Sequence, residues 1–148
     1  MLETSLALIA SQSFCVLATS NGDRPHTSLM TYVPSASRRS LYMVTARESR
    51  KWRNLFANPE ASLLIDTRVE HPERRERPAI CALTVSGLAV EVHDMAERQA
   101  AKDALLARNP ALAMFFDTPD CVLFRVDARS LLLLSGVADA FHHEFPPE

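Results

Sequence analysis

The chain has 148 residues, of which 47% are hydrophobic and 23% charged, a balance that fits one globular domain over residues 1–148 and excludes a disordered chain. Its net charge of -2 gives no electrostatic reason to expect nucleic acid or an anionic membrane as a partner. No apolar run approaches the roughly 20 residues of a membrane span, and the first residues lack the basic start of a secretory signal, so we expect a cytoplasmic protein.

Cysteine and glycine usage excludes several kinds of site. The three cysteines, Cys15, Cys81 and Cys121, lie in separate apolar runs without C-x-x-C spacing, which favours three buried thiols over disulfides or zinc ligands. Only three glycines occur, too scattered for a GxGxxG loop or a Walker loop. GxSxG, HExxH and clusters of metal ligands are also absent from the sequence. We therefore expect no metal and identify no catalytic residue, so an enzymatic reaction would need a bound cofactor.

The first part of the chain predicts a helix and three strands. Apolar residues at helical spacing begin at Leu2, and β-type runs over 14–19 and 24–33 flank Asn21-Gly22. Asn-Gly between two such runs is a strong hairpin signal, because both residues tolerate positive φ. With a third run over 40–45, the pattern predicts an antiparallel meander.

The next helix begins with an unusual pair of charges. Ser49 is a good N-cap and Pro59 prevents continuation, so a helix of two to three turns is expected between them. Arg50 and Lys51 in its first turn oppose the helix dipole, which favours anions there. Free N–H groups, the Ser49 hydroxyl and both cations can converge on one phosphate. The alternative is that both side chains point into solvent.

The rest of the chain predicts more strands than helices. Strands are expected over 61–66 and 79–93, the second with a bulge near Gly87, and over 121–126 and 130–134. Asp94 opens a helix that reaches about Arg108, and 110–116 gives a further turn. The segment 68–78 is a charged loop. The predicted fold is mainly β (β+α): a split antiparallel β-barrel of six to seven strands with about three short helices.

Several motifs follow one another in a recognisable order. The runs 14–19 and 21–26 are followed by 41–45, Ser49-Arg50-Lys51 and Asn58-Pro59. This order resembles the FMN-binding split-barrel superfamily, the pyridoxamine 5'-phosphate oxidase-related proteins. The resemblance implies a homodimer with an FMN at the subunit interface, its phosphate bound by the Arg and Lys of the Ser-Arg-Lys motif. Residues and resemblance together predict eight cofactor-binding residues: Ser28, Leu29, Met30, Val44, Thr45, Ser49, Arg50 and Lys51.

The chain also departs from that family. Pyridoxamine-phosphate oxidases proper carry an Arg and a Lys in the second strand, at the positions of Ser28 and Val33. The glutamine that meets the flavin edge corresponds to about Ala82. These differences remove contacts to the cofactor and to the substrate phosphate. We therefore do not expect oxidation of pyridoxamine phosphate itself.

The C-terminal part is similar to another branch of the superfamily. Segments 106–110, 122–126 and 135–140 resemble the haem-utilisation branch, although Gly136-Val137-Ala138 stands where that branch has Gly-Phe-Gly. The resemblance implies haem ligation by a histidine near the C-terminus, for which His142 and His143 are the candidates. From the residues alone, this pair lies in a mobile surface tail.

Three functions follow as hypotheses. The first is an FMN-dependent oxidoreductase that passes electrons from a reduced nicotinamide cofactor to a small acceptor. The second is a haem-binding or haem-handling protein on the same barrel. The third is an F420-dependent reductase, since F420 also carries a phosphate that Arg50 and Lys51 would suit. All three act on a small molecule, whose identity the sequence leaves open.

Overall fold

Antiparallel strands dominate the structure, a computed structural model that describes residues 1–67, 81–136 and 139–147. The strands are β1 (Phe14–Asn21), β2 (Arg24–Thr31), β3 (Val33–Pro34), β4 (Ser40–Ala46), β5 (Glu60–Asp66), β6 (Cys81–Glu91), β7 (Cys121–Ser135) and β8 (Asp139–Glu144). The helices are α1 (Leu2–Ser11), α2 (Arg50–Ala57), α3 (Met95–Arg108) and α4 (Ala113–Phe116), with a 3-10 turn at Pro110–Leu112. The predicted mainly β split barrel is confirmed. The charged loop 68–78 lies outside the described residues.

The order of the strands explains why the sheet curls into a half-barrel. Neighbouring strands follow the order β2-β1-β5-β6-β7-β4-β3, and β8 pairs with the second half of β7. The two ends of this order, β2 and β3, are separated along the chain only by Tyr32. Because a single residue joins the two edges, the sheet curls until they approach each other.

The predicted meander is only partly correct. The hairpin at Asn21-Gly22 is confirmed, with Gly22 at a φ of 57°. The predicted run 24–33, however, divides at Tyr32, and β4 pairs with β3 and β7 instead of β2. Tyr32 is fully buried, its N–H donates to the Ser13 carbonyl (3.0 Å), and its hydroxyl donates to the Ile9 carbonyl (2.8 Å). These two hydrogen bonds turn the chain away from the β1–β2 pairing after Thr31.

Two predicted strands in the C-terminal half are one long strand. Segments 121–126 and 130–134 are continuous in β7, so the prediction of a break between them is wrong. The pairing shifts from Ser86 with Ser130 to Gly87 with Ala128, and this bulge accommodates the extra residue, Arg129. The predicted bulge near Gly87 is confirmed, with the additional residue on the partner strand.

The C-terminal histidines lie in a strand, so the prediction of a mobile tail is wrong. In β8, His142 pairs with Leu132 and His143 with Leu131. The His143 ring lies between Phe141 (6.4 Å between ring centroids) and Phe145 (4.8 Å). Alternate residues of a strand share one face, and this row of three rings holds the segment on β7.

Two apolar clusters hold the helices against the sheet. In the larger one, Trp52 of α2 packs against Phe124 of β7 with ring centroids 5.5 Å apart. The smaller one joins Leu105 of α3 to Val33 and Val44. Among the described residues, no helix is long and apolar enough to cross a membrane.

The cysteines are all free, but they differ in burial. Cys15 is buried, which raises the pKa of its thiol to about 12. Cys81 and Cys121 are only half-buried, so the prediction of three buried thiols is wrong for these two. Each lies at the first residue of a strand, where the sheet covers one side of the residue. Within the described residues, no three His, Cys, Asp or Glu side chains are grouped to hold a metal ion.

Gly87 is required by close backbone packing, which gives the first prediction. A Cβ at this position would lie 2.1 Å from the Asp127 carbonyl oxygen. We expect Gly87→Ala to lower the free energy of unfolding by roughly 1–3 kcal/mol or more, as overpacking does. Ser86→Ala, on the adjacent residue, is the control and should change it by less than about 0.5 kcal/mol. Urea unfolding measures both, and equal stability of the two variants would contradict the packing account.

Candidate functional site

The start of α2 is fixed to the end of β4 by two hydroxyl groups. Ser49 caps the helix by accepting a hydrogen bond from the Trp52 N–H (3.2 Å), as predicted. The Thr45 hydroxyl donates to the Ser49 Oγ (3.1 Å). Thr45 is buried at the end of its strand, so the position of this helix start follows the sheet.

A cavity of about 250 Å³ lies beside this helix start, between β2 and the end of β4. Its lining brings together five of the eight predicted site residues: Leu29, Met30, Val44, Thr45 and Lys51. Met30, Val44 and Thr45 are buried, whereas Leu29 is 65% exposed. One side of the cavity is therefore open at the edge strand β2, which within the described part of the chain pairs only with β1.

Lys51 is the charged group of this cavity. Its half-buried position lowers the pKa of its ammonium group below the usual 10.5, because burial disfavours the charged form. Among residues 1–67, 81–136 and 139–147, no hydrogen bond or ion pair involves its side chain. A partly desolvated cation without a counter-charge is costly in the free protein, and an anion in the cavity would relieve that cost.

The wall opposite the strands is formed by residues that the sequence did not predict for the site. Asn109, Leu112 and Phe115, which follow α3, also line the cavity. The Asn109 side chain donates to the Thr31 hydroxyl (3.1 Å) and accepts from the Ala111 N–H (3.2 Å), which ties this wall to β2. Asn109-Pro110 indicated only the end of a helix, and nothing in the sequence pattern placed that end beside β2.

Arg50 and Ser28 lie outside the Lys51 cavity. Arg50 lines a neighbouring cavity of about 370 Å³ on the other side of the first turn of α2. The other lining residues of that cavity are Asn21, Arg24, Pro25, His26, Arg53 and Asn54. Ser28 lies on β2 between the two cavities, and its hydroxyl is 3.3 Å from the His26 Nε2. The convergence of Arg50, Lys51 and the Ser49 hydroxyl on one phosphate stays a prediction.

A third cavity, of about 430 Å³, is a weaker candidate. Arg39, Arg125 and Arg129 line it: Arg125 is paired with Asp127 (2.9 Å) and with Glu97 (3.0 Å), and the Arg39 guanidinium lies 4.3 Å from the centroid of the Phe145 ring. The Tyr42 hydroxyl also donates to Glu97, and burial together with this carboxylate raises the Tyr42 pKa to about 12. The charges of Arg125, Glu97 and Asp127 compensate one another, and this network joins α3 to the sheet.

The chemistry available in the Lys51 cavity is limited. Among the described residues its lining contains no His, Cys, Asp or Glu, and Lys51 is the one titratable side chain of that set. Apolar walls with a single cation suit a planar, partly apolar molecule that carries an anionic group. The described residues here suit the binding and orientation of a ligand, and apart from Lys51 they offer no acid, base or nucleophile.

Comparison with known proteins places this arrangement in a family. A family model described as pyridoxamine 5'-phosphate oxidase matches residues 1–120. A haem-binding protein from Mycobacterium smegmatis superposes with a TM-score of 0.82 at 21% identity, covering 96% of this chain and 57% of that one.

Two further solved structures share the fold. The heme storage protein HutZ from Vibrio cholerae has a TM-score of 0.70 at 20% identity, with 88% and 90% of the two chains covered. An FAD-binding protein from Mesorhizobium loti has a TM-score of 0.70 at 15% identity, with 90% and 93% covered. A search of curated proteins finds no match. At these identities the structural likeness establishes the fold.

The burial of Lys51 predicts a pH dependence of stability. The lowered pKa means that the unfolded chain holds this proton more tightly than the folded protein. The free energy of unfolding of the ligand-free protein should therefore rise relative to Lys51→Met as the pH passes from the lowered pKa towards 10.5. Urea unfolding across this range measures the difference, with Lys102→Met as the control lysine outside the cavity. Parallel curves for wild type and Lys51→Met would contradict the desolvation of Lys51.

Proposed function

Because the chain belongs to the pyridoxamine 5'-phosphate oxidase family, we propose that it is an FMN-binding flavoprotein. Its function would be that of an oxidoreductase, which passes electrons from a reduced nicotinamide cofactor to a small acceptor. The observation that carries the proposal is Lys51, a half-buried cation that has no counter-charge among the described residues and faces an apolar cavity.

The residues around the cavity fit a flavin phosphate. Lys51 would bind the phosphate, with Arg50 approaching from the other side of the first helical turn. The N–H groups of that turn and the helix dipole favour the same anion. Met30 and Val44 would pack against the apolar flavin ring. Thr45 also lines the cavity, and its hydrogen bond to the Ser49 hydroxyl holds the start of α2 beside the ligand.

The lining of the cavity indicates which tasks the protein would perform and which the cofactor would perform. Bound FMN would supply hydride and electron transfer, chemistry that the side chains of the cavity lack. The buried side chains Met30, Val44 and Thr45 would exclude water from one face of the ligand. Lys51 would stay protonated beside the phosphate, because an adjacent anion opposes the effect of burial on its pKa.

Oxidation of pyridoxamine phosphate is not part of the proposal. Val33 is buried in the smaller apolar cluster, so no basic side chain reaches a substrate from that position. Ser28 is directed to His26, and Ala82 offers no hydrogen-bonding side chain. A substrate phosphate would lack the anchors that the resemblance associates with that reaction.

A second copy of this chain is proposed to cover the open side of the site. Directly paired residues share a face of the sheet, and one such row crosses six strands. This outward row consists of Leu29, Val16, Leu64, Thr84, Leu132 and His142. Leu64 is 40% exposed, and Phe14 and Leu134 beside the row are exposed as well. A dimer through the outward row would bury this apolar patch and enclose the Leu29 side of the cavity.

Removal of Lys51 should weaken FMN much more than riboflavin, which lacks the phosphate. A charge-assisted contact is worth about 1.5–3 kcal/mol, so Lys51→Ala should lower FMN affinity roughly tenfold to a hundredfold. Arg50→Ala should act in the same direction. Fluorescence titration with FMN and riboflavin measures both effects, and Arg129→Ala is the control for loss of a distant surface cation.

Three other outcomes would change the assignment. Equal losses for FMN and riboflavin would indicate damaged packing instead of a lost phosphate contact. A Soret band in the purified protein that the double variant His142→Ala, His143→Ala abolishes would mean that the ligand is haem and not a flavin. The observation that supports haem is the placement of His142 in the outward row. Binding of F420 in place of FMN would identify a deazaflavin reductase.

The outward row gives a separate prediction about assembly. We expect a dimer at micromolar concentration by light scattering, and Leu64→Asp should convert it into a monomer, because a buried unpaired carboxylate is costly. The control is Met95→Asp, an exposed apolar residue on α3 away from the row. Circular dichroism checks that Leu64→Asp remains folded. A monomeric wild-type protein, or a folded dimer of Leu64→Asp, would contradict this interface.

A further inference from the structure

A fourth cavity, of about 240 Å³, shares the short helix α4 with the Lys51 cavity. Phe115 of α4 lines the Lys51 cavity, and Phe116, the next residue, lines this one. We call it the α3 cavity, and its lining includes Arg98, Lys102, Phe116, Cys121 and Leu123. No described lining residue is shared with the two cavities beside α2, so a ligand here would contact a different set of side chains.

Two cations on one face of α3 line the α3 cavity. Arg98 and Lys102 are four residues apart, which places them on the same side of the helix, one turn from each other. Both are half-buried. Arg98 donates to the Val92 carbonyl (2.9 Å), and the Lys102 ammonium lies 5.4 Å from the centroid of the Phe116 ring. Like charges at this spacing repel each other, so the protein without a ligand keeps an arrangement that costs free energy.

The carboxylates of α3 do not neutralise this pair. Glu97 accepts hydrogen bonds from Arg125 and from Tyr42, and Asp103 accepts one from Gln99. Within the described part of the chain, neither cation of the α3 cavity forms an ion pair. The described lining also contains no carboxylate. The positive charge of the cavity therefore has no counter-charge among these residues.

The remaining lining includes an apolar wall and a thiol. Phe116 and Leu123 form the wall, and Leu123 is fully buried. Cys121 is half-buried, and burial raises the pKa of its thiol, an effect that the cations nearby oppose. Glu91, the carboxylate that acts on the same thiol, is already paired with Arg47 (2.8 Å). The α3 cavity thus combines two positive charges with an apolar, partly aromatic surface.

We propose that the α3 cavity is a second binding site, for a small aromatic carboxylate whose anionic group lies at Arg98 and Lys102 and whose ring packs on Phe116 and Leu123. A guanidinium can bind a carboxylate through two parallel hydrogen bonds, and aromatic rings pack favourably on one another. The cavity is smaller than the roughly 300–1,000 Å³ of sites for drug-sized ligands, so a single ring with its carboxylate suits it. This site does not depend on a flavin in the Lys51 cavity.

The test uses benzoate as the probe and the Cys121 thiol of the full chain as the reporter. Alkylation of Cys121 by iodoacetamide, followed by peptide mass spectrometry, should slow with a saturable dependence on benzoate, because the bound ring covers the thiol. Cys81, the other half-buried thiol, is the internal control and should react at an unchanged rate. Benzyl alcohol, which lacks the carboxylate, and acetate, which lacks the ring, should protect Cys121 much less.

A pair of matched variants tests the charge. Lys102→Met keeps the apolar stem over Phe116 and removes the cation, so the benzoate affinity obtained from the protection curve should fall roughly tenfold. Lys102→Gln should give the same loss. Lys51→Met, the equivalent change in the other cavity, should leave benzoate binding unchanged. The site would be wrong if benzoate gave no protection, if benzyl alcohol protected equally well, or if Lys102→Met and Lys51→Met had the same effect.

Discussion

The rest of the structure depends on the closure of the sheet at Tyr32. Its side chain is fully buried beneath α1, where its hydroxyl donates to the Ile9 carbonyl at 2.8 Å. Its own carbonyl accepts from Arg108 at the end of α3, and the Arg108 guanidinium lies 5.8 Å from its ring centroid. One residue thus holds two helices and both edges of the sheet.

The candidate site is a consequence of that closure. The Lys51 cavity occupies the gap that remains where the edge strand β2 approaches the end of β4. Asn109, one residue after Arg108, bonds Thr31, one residue before Tyr32. The contacts that close the sheet therefore also place the third wall of the cavity. A ligand here would rest on a rigid frame, while the open Leu29 side stays available to a second copy of the chain.

Charge is distributed unevenly over this frame. Near β4, β7 and α3, two arginines are held by carboxylates: Arg47 by Glu91, and Arg125 by Glu97 and Asp127. At α2 and the β1–β2 hairpin, the cations of Lys51, Arg50, Arg53 and Arg24 have no such partners among the described residues. Of these four cations only Lys51 is half-buried, and a folded protein rarely keeps partly buried charge uncompensated without a role for it. The half-buried charge of Lys51 is the physical basis of the proposed flavin site.

The sequence by itself determined the local features of this protein. The Asn21-Gly22 hairpin, the Ser49 cap, the bulge at Gly87 and the helix opened by Asp94 each depend on residues adjacent in sequence or on backbone geometry. Arg50 and Lys51 could be identified as an anomaly because they oppose a helix dipole. Only the tertiary structure decided that these two side chains line different cavities, that Tyr32 divides a predicted strand, and that the histidine tail becomes β8. Each of these features depends on contacts between segments far apart in the chain, and burial and strand register determine which contacts form. Such contacts leave no periodic signal in the sequence.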